Sequence, residues 1–424
     1  MNDDELPVSV GQRLLWFMEH YRGQSGALNC PLVLRLRGRL DRAHLQSALN
    51  LLLARHETLR TTFRGKGRKL GQRIHPPRHV DIGDFDLAGG AGDALGAAIR
   101  EELTRRIDPE SWPMRVAVWR LGEEEHVLCL NMHHLVTDGR SCGILVRDLS
   151  RLYARAMGRE AELPEIAWPY QRFVERESEW LKSADFRRQL DYWQAQLAGA
   201  KAPALALAGA PPNGSRRTAT HSLDLGEDVL IRLRALASAR RTTLFNVMLA
   251  IYYEVLHRLT GQEDLSVGSI FLNRGAPELR ETVGFFANLL VLRTHVPDAA
   301  PFAELLRRSH ATVMDALMHQ AVSFYFLPSK MVESSSLRAD EIVFQMMPEP
   351  LRAGFMGDVR FEPMPIEGVG NRFELELAVV MGDRGMSAVV SHNQDRVPPA
   401  WANALLKTYV AAAEEAASAS SALN

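Results

Sequence analysis

The sequence predicts an α/β protein with mixed sheets, organised as two halves. Its 424 residues are too many for one ordinary hydrophobic core, because single cores stop growing beyond about 250–300 residues. Apolar residues make up 46% of the chain, which is enough to fill two cores. Segments with strand-like patterns alternate with segments of helical spacing, so we expect strands covered by helices in each half.

The N-terminal part of the chain contains predicted helices and strands in alternation. Ser9 is a cap signal ahead of helix Val10–His20, and Asp41 caps a second helix that extends to about His56. Further predicted elements are strand Pro31–Leu36, an antiparallel pair formed by Met114–Trp119 and His126–Met132, and helices Gly139–Arg155, Tyr170–Leu181 and Phe186–Leu197.

The stretch Ala198–Arg217 is rich in Ala, Pro and Gly, which predicts a linker or a long surface loop. Beyond it the alternation of strands and helices restarts. The predicted strands are His221–Leu225, Leu265–Leu272, Leu289–His295, Glu341–Met347, Arg372–Met381 and Met386–His392, and the predicted helices are Asp228–Ala239, Thr243–Leu259 and Trp401–Glu415. Composition alone therefore divides the halves at this stretch.

The overall charge and the apolar segments exclude several classes of protein. The formal charge is −1, whereas binding to nucleic-acid phosphates needs a concentrated basic surface. We interpret the short basic run Arg64–Lys69 as a solvated turn rather than a phosphate or partner contact. An apolar stretch in the second half is interrupted by Asn246, Glu254 and His257, which argues against a membrane span. We expect no nucleic-acid partner and no membrane insertion.

Cysteine usage and the N-terminus indicate a reduced, cytoplasmic protein. Cys30, Cys129 and Cys142 are odd in number and widely spaced, and they form neither a zinc spacing nor a disulfide framework. The acidic start Met1–Glu5 is not followed by an apolar region, so we expect no secretory signal. We further expect a monomer without a bound metal.

The segment His133–Gly139 combines groups that suit acyl transfer. A strand predicted over His126–His134 ends in two histidines, whose side chains point to opposite faces. The chain then turns into a helix starting at Gly139, where the first backbone N–H groups lack intrahelical acceptors and suit an oxygen that gains negative charge. A histidine just ahead of such a helix end can act as a general base. Gly139 permits close backbone approach because it has no Cβ.

Structural interpretations of the same residues stay open. A histidine such as His133 is often bonded to the backbone, and Asp138 can be the cap of the following helix or the partner of a buried arginine. Ser141 lies near but lacks the Gly-x-Ser-x-Gly context of a serine nucleophile, so we favour direct attack by the acceptor. A metal site is disfavoured, because the paired histidines diverge and no nearby Cys or Glu completes a ligand set.

A series of segments, centred on the pattern His-His-x-x-x-Asp-Gly at His133–Gly139, resembles the condensation domains of nonribosomal peptide synthetases. That family belongs with chloramphenicol acetyltransferase in one superfamily. The other similar segments are Ser9–Phe17, Arg55–Phe63, Tyr192–Leu197, Val283–Arg293, Arg372–Leu375 and His392–Asp395. They follow in the family's order, so the resemblance covers nearly the whole chain.

The resemblance implies a V-shaped pair of chloramphenicol-acetyltransferase-like subdomains with a central channel. It places the motif in an N-terminal subdomain, residues 1–175, followed by a C-terminal subdomain, residues 176–424. A donor carrier protein would present an acyl or peptidyl thioester on its 4'-phosphopantetheine arm, with no other cofactor bound. The acceptor would be an amine or a hydroxyl, free or on a second carrier, giving an amide or an ester in natural-product biosynthesis.

The resemblance also implies roles for single residues. His134 would be the catalytic histidine, with His133 a further candidate. Gly139 would offer its N–H to the thioester oxygen. Asp138 would form a structural salt bridge, for which Arg60 and Arg274 are the candidate partners. The family usually has an aromatic residue where Arg140 stands.

Two alternative functions share this fold. An epimerisation domain has the paired histidines, and Glu367–Arg372 faintly resembles its glutamate-bearing loop, but Gly139 and Gly284–Phe286 fit condensation better. A catalytically silent recruitment module would lack the second histidine or the glycine of the motif, and His134 and Gly139 are both present. We therefore expect an active, free-standing condensation enzyme.

Overall fold

A computed structural model gives the structure of the chain as a mixed α/β protein. It describes residues 5–21, 26–65, 67–89, 93–205, 217–298, 300–327, 333–334, 337–347, 351–365, 373–382 and 385–420. Most of the predicted linker, residues 206–216, and the segment Glu367–Arg372 lie outside the described residues. The predicted mixed sheets covered by helices are confirmed.

Helices and strands alternate along the described chain. The α-helices are α1 (Val10–Tyr21), α2 (Arg42–Arg55), α3 (Ala94–Thr104), α4 (Gly139–Ala156), α5 (Tyr170–Trp180), α6 (Ala184–Gln196), α7 (Gly226–Ala239), α8 (Leu244–Thr260), α9 (Phe302–Met318) and α10 (Pro399–Ser420). The strands are β1 (Leu6–Pro7), β2 (Asn29–Arg37), β3 (Thr61–Arg64), β4 (Gly71–Ile74), β5 (Ile82–Asp86), β6 (Met114–Arg120), β7 (Glu125–His133), β8 (Thr218–Asp224), β9 (Asp264–Leu272), β10 (Ala287–His295), β11 (Glu333–Ser334), β12 (Leu337–Arg338), β13 (Ile342–Met346), β14 (Gly354–Met356), β15 (Val359–Pro363), β16 (Leu375–Gly382) and β17 (Gly385–Asn393).

The chain packs as two compact units, each assembled from three segments. Unit 1 contains residues 1–183, 272–287 and 351–369, and unit 2 contains residues 184–271, 288–350 and 370–424. The boundary near residue 175 remains our proposal for where the first subdomain ends along the chain.

Unit 1 contains a six-stranded sheet in the order β14-β15-β2-β7-β6-β5. The two central strands, β2 and β7, are antiparallel and pair along their whole length, from Asn29 opposite His133 to Arg37 opposite Glu125. Leu128, Leu130 and Met132 of β7 belong to one buried cluster with α2 and α4, because alternate strand residues share a face. The intervening residues of β7 face α3. β7 is therefore covered on both faces.

Unit 2 contains a second six-stranded sheet in the order β10-β9-β13-β16-β17-β8. β13 runs parallel to both β9 and β16, whereas β17 is antiparallel to both of its neighbours, β16 and β8. Helix α8 is largely buried, as the sequence predicts, with Thr243 as its N-cap and Gly261 as its C-cap. No helix among the described residues is long and apolar enough to cross a lipid bilayer.

Candidate active site

The end of β7 and the start of α4 form the local frame of the candidate site. β7 ends at His133, a single 3-10 turn covers His134–Val136, and α4 starts at Gly139. The change from strand to turn ends the period-two alternation after β7, because the backbone leaves its extended conformation there. All the described side chains from His126 to Asp138 are buried, whereas Gly139 and Arg140 are exposed. The motif therefore passes from the core to the surface at the first residue of the helix.

His134 lies in the turn with its ring held by the backbone. Its Nδ1 is 3.1 Å from the carbonyl oxygen of Thr137. A carbonyl oxygen only accepts, so Nδ1 carries the proton, and in the neutral ring Nε2 keeps the lone pair. The ring also meets the edge of Phe285, with the centroids 6.0 Å apart. Nε2 is accordingly the atom that can accept a proton.

His133 is bonded to the backbone and directed away from the α4 side of the sheet. Its Nδ1 accepts the N–H of Leu135 at 3.0 Å, and its Nε2 lies 3.9 Å from a carboxylate oxygen of Glu19. Burial lowers the pKa of His133, so the ring is neutral near pH 7. Burial acts to raise the pKa of Glu19, but the neighbouring His133 and the hydrogen bond from Arg106 outweigh it and lower that pKa. These contacts match the structural interpretation of His133.

Helix α1 holds the same turn from the other side. Gln12 is fully buried, and its Nε2 donates to the carbonyl oxygen of Leu135 at 3.0 Å. Its Oε1 accepts the N–H of Ser9 at 3.0 Å, which fixes the amide orientation. The turn that carries His134 is thus bonded at both the N–H and the carbonyl of Leu135. Neither Gln12 nor Glu19 was identified from the sequence, although Gln12 lies in the segment that resembles the family's opening helix.

Asp138 is both the cap of α4 and the partner of a buried arginine. Its Oδ1 accepts the backbone N–H of Ser141 at 2.8 Å, the bond expected of an N-cap. Arg274 donates to Oδ1 at 3.1 Å and to Oδ2 at 3.2 Å, and the side chains of the pair are 8% and 2% exposed. The N–H of Phe286 also donates to Oδ2. Both structural interpretations of Asp138 thus describe contacts that are present.

Of the two candidate partners of Asp138, Arg274 occupies the position and Arg60 does not. Arg60 instead donates to the carbonyl oxygen of His75. Arg274 also donates to the carbonyls of Leu279 and Thr282 and lies 4.0 Å from the ring centroid of Phe286. Burial lowers the pKa of Arg274, and the charge of Asp138 opposes that shift. The guanidinium therefore ties the segment around residues 272–287 to the start of α4.

Ser141 is buried, and its hydroxyl contacts several neighbouring groups of the protein. It is fully buried, and its Oγ lies 2.8 Å from Asp138 Oδ1 and 3.0 Å from the carbonyl oxygen of Gly284. The same oxygen accepts from Arg274 at 2.9 Å and from the N–H of Gly284 at 3.1 Å. A hydroxyl with these neighbours is poorly placed to attack a substrate. This role of Ser141 was missed from the sequence.

The segment around Gly284 approaches helix α5 closely. A Cβ at Gly284 would lie 2.1 Å from the ring of Tyr170, so only glycine fits there. Tyr170 is buried and donates to the carbonyl oxygen of Phe285 at 2.7 Å, while its oxygen lies 3.0 Å from Ser9 Oγ. Three helices of unit 1, α1, α4 and α5, are joined through this one segment.

The space that a side chain at Gly139 would occupy is empty. A Cβ added at Gly139 would meet nothing within 4 Å, and its backbone is not in the left-handed region. Packing and backbone strain therefore do not require glycine at this position. An acyl group could approach the exposed first turn of α4 here without steric hindrance, which fits a thioester carbonyl.

The described residues contain no group of three or more His, Cys, Asp and Glu side chains that could hold a metal ion.

The comparison with family models identifies the chain. The model of the Condensation domain matches residues 2–421. The chain belongs to the condensation-domain family. It is 32% identical over 413 residues to one of the linear gramicidin synthase proteins of Brevibacillus parabrevis, a match that covers 94% of this chain. The same match covers 5% of that protein, so the condensation domain described here corresponds to a small part of its relative.

Solved structures share the fold of this condensation domain. The X-domain from teicoplanin biosynthesis is 25% identical with a TM-score of 0.87, covering 99% of this chain and 96% of that one. The same X-domain has been solved in complex with OxyB, with 24% identity, a TM-score of 0.85 and coverage of 99% and 94%. The first condensation domain of the CDA synthetase is 20% identical with a TM-score of 0.81, covering 98% and 96%.

Proposed function

We propose that this condensation domain is an acyltransferase that moves an acyl or peptidyl group from a carrier-protein thioester to an amine or a hydroxyl. The observation that carries the proposal is the contact between His134 Nδ1 and the Thr137 carbonyl, which leaves Nε2 as the proton acceptor. Family membership supports the same reaction class. The acceptor is either a second carrier-bound group or a free small molecule.

His134 is the proton-transfer group of this proposal. Its Nε2 accepts the proton of the attacking amine or hydroxyl as the new bond to the acyl carbon forms. The Thr137 carbonyl holds the ring orientation and stabilises the imidazolium through the Nδ1 proton. The same proton then passes from Nε2 to the departing sulfur, so the histidine ends neutral, as it began.

Gly139 is the group we assign to the acyl oxygen. Its N–H belongs to the first turn of α4, where amides have no intrahelical acceptor and the helix dipole favours negative charge. The open space around Gly139 fits the approach of a thioester carbonyl. The phosphopantetheine arm of a carrier supplies the acyl group as a thioester, whose thiol is the leaving group. His133, Asp138 and Arg274 have positioning roles.

Recruitment without catalysis is the second candidate function. It is favoured by the similarity to the teicoplanin X-domain, which forms a complex with OxyB. Against it stands the presence of both His134 and Gly139, since silent modules lack the second histidine or the glycine of the motif. If the His134→Ala variant binds its partner protein normally and the cellular product is unaffected, the recruitment function is correct.

The experiment uses the purified chain, acyl-loaded carrier proteins and panels of amine and alcohol acceptors, with products followed by intact mass. We expect condensation product with at least one donor and acceptor pair, and His134→Ala to lower turnover by about 10²–10⁴-fold. His79→Ala, which replaces an exposed histidine, is the matched control and should keep wild-type turnover. Equal turnover for His134→Ala and the wild type would refute the proposal.

A further inference from the structure

Two of the three cysteines lie next to each other beside the candidate active site. Cys30 of β2 and Cys142 of α4 have their sulfur atoms 3.8 Å apart, although 112 residues separate them in sequence. Both are present as thiols, and Cys142 lies in the first turn of α4, where its N–H donates to the Asp138 carbonyl. The third cysteine, Cys129, is fully buried among the residues that face α3. The pairing is therefore specific to Cys30 and Cys142.

The position of each sulfur follows from the sheet. Cys30 lies opposite Met132 of β7, on the face of β2 that packs against α2 and α4. A disulfide has a sulfur separation of about 2.05 Å, so the two atoms have to approach by about 1.8 Å. Cys30 is part-exposed, whereas Cys142 is buried, so a small reagent reaches Cys30 first.

We propose that Cys30 and Cys142 form a reversible disulfide and so make a modification site at the start of helix α4. With a low-molecular-weight disulfide as the oxidant, the Cys30 thiolate attacks one sulfur, breaks that S–S bond and releases one thiol. The Cys142 thiolate then attacks the Cys30 sulfur of the mixed disulfide and releases the second thiol. Two protein thiols are oxidised, one external disulfide is reduced to two thiols, and two protons follow the released thiolates.

The consequence for the site rests on the proposed function. Cys142 is three residues after Gly139 and directly follows Ser141, so closing the disulfide pulls the first turn of α4 toward β2. The bonds from the Gly284 N–H to Ser141 Oγ and from Arg274 to Asp138 hold that turn in place in the reduced protein. Oxidation therefore displaces the amide assigned to the acyl oxygen, and reduction restores it.

The test uses the folded 424-residue chain in oxidised glutathione, followed by acid quenching, alkylation of remaining thiols and mass mapping. We expect the wild type to lose two thiols, keep Cys129 as a thiol, and yield a linked peptide pair containing Cys30 and Cys142. Cys30→Ser should form no internal disulfide, and Cys129→Ala, the matched control, should still form it. Dithiothreitol should return all three thiols of the wild type.

Two results would overturn the proposal: three alkylated thiols after oxidation, or glutathione that stays on Cys30 without a link to Cys142. We expect turnover of the oxidised wild type to fall at least about tenfold and recover on reduction, while Cys30→Ser is insensitive to the oxidant. Unchanged turnover of the oxidised form would refute the effect on α4. If the reduced chain has no transferase activity, the proposed function fails, and the thiol counts still decide the disulfide.

Discussion

Asp138 holds the frame of the candidate site through two kinds of contact. It caps α4 through Ser141 and neutralises the buried Arg274. Removing one partner of a buried ion pair leaves an uncompensated charge, which costs about 3–5 kcal/mol, whereas loss of a cap alone costs about 1 kcal/mol. The ion pair with Arg274 therefore contributes more to the free energy of unfolding than the helix cap does.

We predict that Asp138→Ala lowers the free energy of unfolding by several kcal/mol, measured by urea denaturation, and yields poorly soluble protein. Asp41→Ala is the matched control, because Asp41 is an exposed cap of α2 that accepts from the His44 N–H. That variant should lose far less stability, because it removes only an exposed helix cap. A normal melting temperature for Asp138→Ala would contradict the structural role.

A substitution at Gly139 should affect turnover without affecting stability. An added methyl group meets nothing in the protein, so Gly139→Ala should change the free energy of unfolding by less than about 1 kcal/mol. The methyl group would occupy the space assigned to the acyl group, so we predict at least a tenfold loss of turnover.

Gly143→Ala provides the control for this prediction. Gly143 lies one turn further along the same helix, and a Cβ there makes an ordinary contact with Leu351 at 3.6 Å. Turnover of this variant should stay close to that of the wild type. If Gly139→Ala and Gly143→Ala have equal turnover, the assignment of Gly139 to the acyl oxygen is wrong.

At the scale of elements, a carboxyl group of α5 accepts a hydrogen bond from the first residue of α1. Glu177 of α5 accepts the N–H of Val10 at 2.8 Å. Burial raises the pKa of Glu177 from 4.5 to about 7, although the bond from Val10 and the charge of Arg13 oppose the shift. The unfolded chain thus releases this proton at lower pH than the folded chain does.

The sign of the pH dependence follows from this difference. The contribution of Glu177 to stability is fully present below pH 4.5 and is lost as pH rises through about 7. We predict that the wild type loses about 1 kcal/mol relative to Glu177→Gln between pH 5 and pH 8, an amount reduced by its partial exposure. Urea midpoints at four pH values test this, with the exposed Glu179→Gln as control. Parallel profiles for wild type and Glu177→Gln would contradict it.

Most elements with strong local signals were predicted, whereas contacts between distant segments of the chain were not. Helices α2 and α4 follow from an aspartate cap and a continuous apolar stripe, and both begin where the sequence predicts. Helices α3 and α9 were not predicted; α3 contains Gly96 and has a single fully buried residue, so its apolar stripe is weak. Strand β15 pairs with β2 across more than 300 residues, and no local pattern encodes that contact.

At the scale of the whole molecule, the local motif of the candidate site was predicted, whereas its contacts with distant residues were not. The pattern from His133 to Gly139 is local and was identified from the sequence. The choice between Arg60 and Arg274 was left open, since residues distant in sequence meet only through the fold. The contacts of Gln12 and Ser141 were missed for the same reason, because their partners, the Leu135 carbonyl and Gly284, lie 123 and 143 residues away.

The assembly of unit 1 from three segments leads to a prediction about fragments. Residues 272–287 supply Arg274 to Asp138 and Gly284 to Ser141, and residues 351–369 supply β15 to the open edge of β2. A fragment of residues 1–175 would retain the motif but expose a strand edge and leave Asp138 without its arginine.

We therefore predict that residues 1–175 expressed alone are insoluble, or soluble without a cooperative unfolding transition, whereas the full chain unfolds cooperatively. Circular dichroism during urea denaturation and hydrogen exchange of β2 and β7 would measure this. The physical reason is that the core of unit 1 is continuous in space but not in sequence, so the segments near residues 280 and 360 complete it. A soluble fragment with native-like exchange protection of β7 would contradict the prediction and would make residues 1–175 an independent folding unit.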